Sequence, residues 1–178
     1  MRQLILLRHA KSSWDDPAMP DHSRPLNARG RRAAGVMADV MRDLSLAPEA
    51  VLVSSARRTL QTLEALSPLE GNPPVEPMDD LYLAPWEQML ETLRAVPDSV
   101  GSVLLIGHNP GLHDLALALA GPEAMEHGTA PGTQRLAGGY PTAALAEFSI
   151  ASAWKALGQG QARLVRFIAP NDLPEMAS

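Results

Sequence analysis

Strands and helices alternate along this chain, and the alternation predicts an α/β protein: a three-layer α/β/α sandwich built on a mostly parallel sheet. Three observations carry that expectation. Short aliphatic runs of strand length, LILL at 4–7, VLV at 51–53 and VLLI at 103–106, are bounded by polar or turn-forming residues. Longer stretches between them repeat apolar residues at helical spacing, which implies right-handed crossovers and helices on both faces of the sheet. At 178 residues and 46% hydrophobic content the chain has material for one core, so residues 1–178 are expected to form a single domain.

Taken in order, residues 3–8 read as a buried strand, followed by a turn-rich stretch with three prolines, KSSWDDPAMPDHSRP. Asn27 is placed to cap a helix over 28–45, where Ala33, Ala34, Met37, Val40, Met41 and Leu44 recur on one side. A second buried strand, AVLVS at 50–54, leads into a helix carrying Leu60, Leu63 and Leu66, with Ser54 or Ser55 available as its cap. A proline-broken segment near Val75 and a short helix over 86–95 come next. SVLLIG at 102–107 is the third strand, and NPGLHDLALALAG behind it reads as a helix with Asn109 as cap, Pro110 at its first position and Gly121 past its end. Residues 121–141 lose periodicity and are rich in Gly and Pro, so they are expected to be a functional or mobile loop. Two more strands, near 143–150 and 162–168, flank a short helical piece at Trp154.

Composition narrows the function classes. With no cysteine, neither a disulfide framework nor a thiolate metal site exists, which suits a reducing compartment. The N-terminal apolar run breaks at Arg8, too short for a signal peptide or a membrane span, so a soluble, cytoplasmic protein with no membrane association is expected. The formal charge is −5, yet 10 of the 15 Lys and Arg lie in the first 60 residues against 6 of the 20 Asp and Glu. An acidic chain with a local basic region is suited to a compact anion rather than to nucleic acid. Thirteen of the basic residues are arginine, the side chain that forks onto phosphate or carboxylate.

In open α/β sheets the ligand crevice lies beyond the carboxyl ends of the strands. The first strand delivers Arg8 and His9 there, the second Ser54 and a helix start with Arg57 and Arg58, the third Gly107, His108 and Asn109. Arginine forks grip phosphoryl oxygens, a neutral imidazole can attack phosphorus, and the helix after Pro110 is expected to turn free N–H groups toward the same crevice. Phosphoryl transfer rests on positioning and charge stabilisation, so this set suffices without metal or cofactor.

LRHAKS, SSARRTLQT at 54–62 and IGHNPG at 106–111, in this order, resemble the histidine phosphatase superfamily, with its phosphoglycerate mutase-like fold. The small size, RPLNARGRRAA and the SxxxRxxQT arrangement are most similar to the SixA-like phosphohistidine phosphatase branch, over roughly Leu4 to Asp172. The superfamily's commoner motif has Gly where this chain has Ala10. The resemblance implies that His9 is the phosphorylated nucleophile, Arg8 its partner in phosphate binding, and His108 the second histidine bonded to a phosphoryl oxygen. The second arginine of the family stands four residues before the threonine of RxxQT, which selects Arg58; Arg57 points about 100° away on the helix.

Other groups have plainer readings. His113 and Asp114 diverge from His108 on the helix, so no metal site is expected. His22 and His127 fall in polar loops and are read as solvent-exposed. Trp14, Trp86 and Trp154 are read as packing residues, with Trp14 close enough to His9 to line a cleft mouth. Ser12 and Ser13 could contact phosphate or satisfy a turn. Arg29, Arg31 and Arg32 form a solvated helix face that, with Arg24 and Lys11, could attract an acidic partner.

A general acid is missing from this set. Larger relatives in the superfamily place a carboxylic acid over the pocket, and Asp79, Asp80 and Glu87 are candidates by position only. A phosphohistidine relaxes the need, since an imidazole with a pKa of about 6.5 leaves easily. The expected activity is therefore a metal-independent phosphatase acting on a phosphohistidine-bearing protein through a phospho-His9 intermediate. A small-molecule phosphomonoesterase is the alternative; a mutase would need a lid, and a non-catalytic phosphate-binding signalling module would not need His9.

Overall fold

The structure is a computed structural model that describes residues 1–176. A single six-stranded sheet runs through it: β1 (Arg2–Arg8), β2 (Ala50–Ser54), β3 (Val75–Met78), β4 (Ser102–Gly107), β5 (Leu145–Ile150) and β6 (Ala162–Ile168), in the order β3-β2-β4-β1-β5-β6. β1 to β4 are mutually parallel; β5 runs antiparallel to both β1 and β6. The helices are α1 (Ala28–Asp43), α2 (Arg57–Leu66), α3 (Trp86–Arg94), α4 (Gly111–Ala120), α5 (Pro122–His127) and α6 (Thr133–Gly138).

Alternation along the central strands divides the core in two. Ile5 and Leu7 of β1, with Leu104 and Ile106 of β4, pack against Ala34, Met37 and Met41 of α1 and Leu63 and Leu66 of α2. Leu4, Leu6 and Leu105 point the other way, against Met89 and Leu93 of α3 and Leu112, Leu115 and Leu119 of α4. Leu4 through Leu7 are completely buried, which is why that run lacks the polar alternation of a half-exposed strand. Among the described residues no helix is long and apolar enough to cross a membrane.

Several local expectations need correcting. The Val75 segment is a true strand, short and exposed at the sheet edge where Pro77 can be tolerated. α2 is capped by neither serine: Ala56 occupies the N-cap without a side-chain bond, and the Ser54 hydroxyl, which accepts from the Ala56 N–H at 3.3 Å, is directed elsewhere. α4 begins at Gly111, one residue later than expected, with Pro110 at the N-cap. Residues 121–141 hold two short helices, α5 and α6, with six residues each, too short to show periodicity in sequence. Asn27 does cap α1, its Oδ1 accepting from the Gly30 N–H at 2.7 Å.

Candidate active site

The carboxyl ends of β1, β2 and β4, adjacent in the sheet, open into a cleft of about 470 Å³. Arg8, His9, Arg58 and His108 all line it, and Arg24 and Asp21 join them. A roomier groove of about 560 Å³ beside α5 is lined mainly by Ala, Gly and Pro and has no arginine, so it lacks any comparable grip on an anion.

His9 is 7% exposed, and its ring centroid is 5.2 Å from that of His108. Its Nδ1 lies 2.7 Å from the Ala10 carbonyl oxygen, which can only accept; Nδ1 therefore carries the proton and Nε2 keeps its lone pair. Burial, assisted by the charges of Arg8, Arg58 and Arg24, holds the His9 pKa down to about 4. His108 is lowered to about 3, first by burial and then by His9 and Arg58. Both rings are neutral near pH 7.

The loop holding His9 is braced from α2. Thr62 Oγ1 accepts from the Ala10 N–H at 2.9 Å and donates to the Arg58 carbonyl at 2.7 Å, tying the two halves of the site together. Gln61 accepts from the Leu26 N–H at 2.8 Å. The close approach also demands glycine at 30: a Cβ there would fall 2.1 Å from the Lys11 carbonyl oxygen.

Arg58 is 3% exposed and bridges to Asp21 through its carbonyl at 2.8 Å and its Oδ2 at 3.1 Å. Arg57 is exposed, outside the cleft, and reaches only the Ser23 carbonyl at 3.4 Å. Arg8 donates to the Tyr140 carbonyl at 2.9 Å, and Asn109 donates to the same oxygen. Three buried nitrogens of cleft residues have no hydrogen-bond partner among the described residues: Arg8 Nε, Arg58 Nε and His108 Nδ1. Arg8, Arg24 and Arg58 bring three guanidinium groups to one cleft against the single carboxylate of Asp21, a lining suited to a compact anion. The other ring nitrogen of His108 meets Ser54 Oγ at 2.7 Å.

Asp21, Tyr82 and Arg24 were not legible as site residues. Asp21 accepts from Arg24 and Arg58, and the Tyr82 hydroxyl donates to it. That Tyr82 bond and the two arginines lower its pKa to about 2. Arg24, read as part of a surface charge cluster, is instead 7% exposed, bonded to Ser12 Oγ at 2.6 Å and stacked 3.5 Å over the Trp14 ring. Trp14 is no packing residue: it lines the cleft and is 73% exposed. The signal that could have flagged Arg24 and Asp21 is their i, i+3 spacing in DHSR, a local ion pair in a turn-rich stretch.

Ser12 serves Arg24, and Ser13 Oγ accepts from the Asp15 N–H, satisfying a turn. Arg29, Arg31, Arg32, His22 and His127 are exposed, although His127 ends α5 rather than lying in a loop. His113 Nε2 is 2.7 Å from the Leu136 carbonyl and so is committed as a donor. Asp79, Asp80 and Glu87 are exposed and do not line the cleft; Leu83 is the side chain from that segment that does. Of the N–H groups in the first turn of α4, those of Leu112 and Asp114 bond to the His108 and Pro110 carbonyls and that of His113 to Asn109 Oδ1.

Residues 4–104 match the model of the histidine phosphatase superfamily, branch 1. An uncharacterised protein of Mycobacterium tuberculosis is 35% identical over 164 residues, covering 92% of this chain and 99% of its own. A protein from Agrobacterium tumefaciens assigned as the phosphohistidine phosphatase SixA superposes with a TM-score of 0.80 at 31% identity, over 95% of this chain and 98% of that one. The protein histidine phosphatase SixA in complex with tungstate superposes with a TM-score of 0.76 at 25% identity, over 96% and 98% of the two chains. The mixed sheet and its phosphate-compatible cleft thus define a phosphatase fold of the phosphoglycerate mutase-like kind, and the chain belongs to the histidine phosphatase superfamily. Within it, the likeness is to the SixA proteins.

Proposed function

We propose that this protein hydrolyses phosphohistidine on a partner protein through a covalent phospho-His9 intermediate, without a metal. The observation that carries the reading is the placing of His9, its Nε2 lone pair free, in one cleft with the guanidinium groups of Arg8 and Arg58 and the ring of His108.

In the first step the His9 Nε2 lone pair attacks phosphorus. The bond from phosphorus to the substrate's ring nitrogen breaks, the electron pair stays on that nitrogen, and solvent supplies its proton. Arg8 and Arg58 face the equatorial oxygens, where charge accumulates. His108 contributes a donor. On this reading the Ser54 hydroxyl donates to His108 Nε2 across 2.7 Å, so that Nδ1 carries the ring proton. In the second step water attacks phosphorus, the bond to His9 Nε2 breaks, and inorganic phosphate leaves.

Asp21 is the cleft's one carboxylate among the described residues, and with a pKa of about 2 it carries no proton to give near neutral pH. This supports a substrate whose leaving group departs without acid assistance. The test is turnover of a phosphohistidine-bearing protein and of phosphoramidate against a range of phosphomonoesters. Preferential N–P hydrolysis is expected, with an acid-labile, alkali-stable phosphoenzyme that His9→Ala does not form. Robust ester turnover with no attack on N–P bonds would overturn the substrate assignment.

A further inference from the structure

Five large apolar side chains are strongly exposed among the described residues, and two of them, Trp14 and Leu83, sit on the same cleft. Each is held there at a cost. Trp14 leaves most of a large apolar ring in water, which folding disfavours unless something covers it. Its ring plane is nonetheless fixed, because the guanidinium stacked on it belongs to Arg24, itself pinned by Ser12 Oγ, the Ser13 carbonyl and Asp21. The backbone under it is tied down too, with Ser13 N–H donating to the Pro25 carbonyl at 2.8 Å and Asn27 N–H to the Lys11 carbonyl at 3.0 Å.

Leu83 is 53% exposed and adopts φ +50°, a left-handed conformation that glycine or asparagine takes more readily. It is flanked by buried neighbours: Leu81 is fully buried and Ala84 nearly so. Ala84 is clamped against α4 at Gly111, where a Cβ would fall 2.0 Å from the Ala84 carbonyl oxygen. The segment is therefore anchored on both sides while its leucine is turned out to the cleft.

Beside these two, the polar lining does little to favour a hydrated leaving group. The Asn109 amide is committed to Tyr140 and His113, and Asp21 to its arginines and Tyr82. Lys11 and Thr142 remain.

We infer that Trp14 and Leu83 form an apolar clamp that grips the flat ring of the leaving group, making them the residues that select ring-bearing phosphoryl donors over polyhydroxylated ones. The inference rests on the phosphate-pocket reading above. A face of indole and a branched aliphatic chain suit an imidazole or another planar ring, whose covering recovers the exposed apolar surface; a sugar would lay its hydroxyls against these apolar faces and recover less of it.

The experiment is calorimetric titration with two non-hydrolysable anions, phenylphosphonate and methylphosphonate, at a pH of about 9 where both are dianions, so that they differ in the ring and not in charge. The wild type should bind the phenyl compound about three- to tenfold more tightly, the range expected for one aromatic contact. Trp14→Ala should remove most of that ratio while changing methylphosphonate affinity by less than about twofold, and Trp14→Phe should retain it. Leu83→Gly, which relieves the left-handed backbone rather than straining it, should reduce the ratio without unfolding the chain. Absence of ring preference in the wild type, or equal weakening of both anions in Trp14→Ala, would overturn the clamp and leave Trp14 a mere brace for Arg24. Because binding needs no turnover, the two readings fail separately: a wild type that binds neither anion overturns the pocket itself, whereas intact ring preference without N–P hydrolysis leaves the clamp standing and sinks the catalytic assignment.

Discussion

At the scale of single residues, adjacent side chains on α2 are sharply unequal. Arg58 and Arg57 are the same amino acid with the same charge, yet one is 3% exposed in the cleft wall and the other is in solvent. A helical step of about 100° separates them, enough to put only one into the pocket. Arg58→Ala should therefore lower kcat/KM by about 10²- to 10³-fold, the range for losing one donor to the charge that develops on phosphorus. Arg57→Ala should stay within about threefold, since it surrenders only a long, exposed bond to Ser23. Steady-state kinetics on any turned-over substrate decides this, and a reversed order would mean that the arginine facing phosphate has been misassigned. Arg8 resists the same subtraction logic: its guanidinium is half of a structural contact with Tyr140, so removing it disturbs the wall as well as the charge.

At the scale of elements, the site depends on backbones that approach closely enough to exclude a side chain. Gly111 begins α4 directly against the Leu83–Ala84 turn, with the Met89 Cε 2.9 Å from where a Cβ would be. Gly111→Ala must push that turn or α3 outward, so a loss of about 1–3 kcal/mol in urea unfolding is expected, the usual cost of overpacking. Gly35→Ala, on the same kind of helix but with nothing within 4 Å of its Cβ, is the control and should hold or gain stability. An equal effect of the two would mean that the turn is not packed as described. This is also where sequence reading reaches its limit. β1, β2 and β4 were legible because wholly buried strands are continuous aliphatic runs, and Arg8, His9 and His108 followed from their ends. Asp21, Arg24 and Tyr82 were not, because they come from turns and short 3₁₀ segments whose positions depend on contacts distant in sequence, such as the bond between Asp21 and Arg58. α5 and α6 escaped for a related reason, since each spans fewer than two turns and offers little repeat to detect.

At the scale of the whole molecule, the cleft sets how stability responds to acid. His9 and His108 are buried among Arg8, Arg24 and Arg58, and they titrate at about 4 and about 3 in the folded protein against about 6.5 for an unfolded histidine. Between those values the unfolded chain binds protons that the folded chain refuses. Stability therefore rises with pH through this window, is fully present above about 6.5, and is lost progressively as pH falls toward 4 and then 3. Each histidine contributes a slope of at most about 1.4 kcal/mol per pH unit. Asp21 acts in the same direction lower down, its contribution being lost only below the ordinary aspartate range, as pH drops toward 2. Urea denaturation at pH 7, 6 and 5 should show a decline that steepens below pH 6.5. His9→Asn should lessen the slope by about one proton's worth, because asparagine has no proton to gain on unfolding. A wild-type stability that stays level from pH 7 to pH 5 would contradict the picture, for it would require both rings to bind protons as readily in the folded cleft as in water, and the cleft would then lack the dry, cationic character on which a neutral His9 depends.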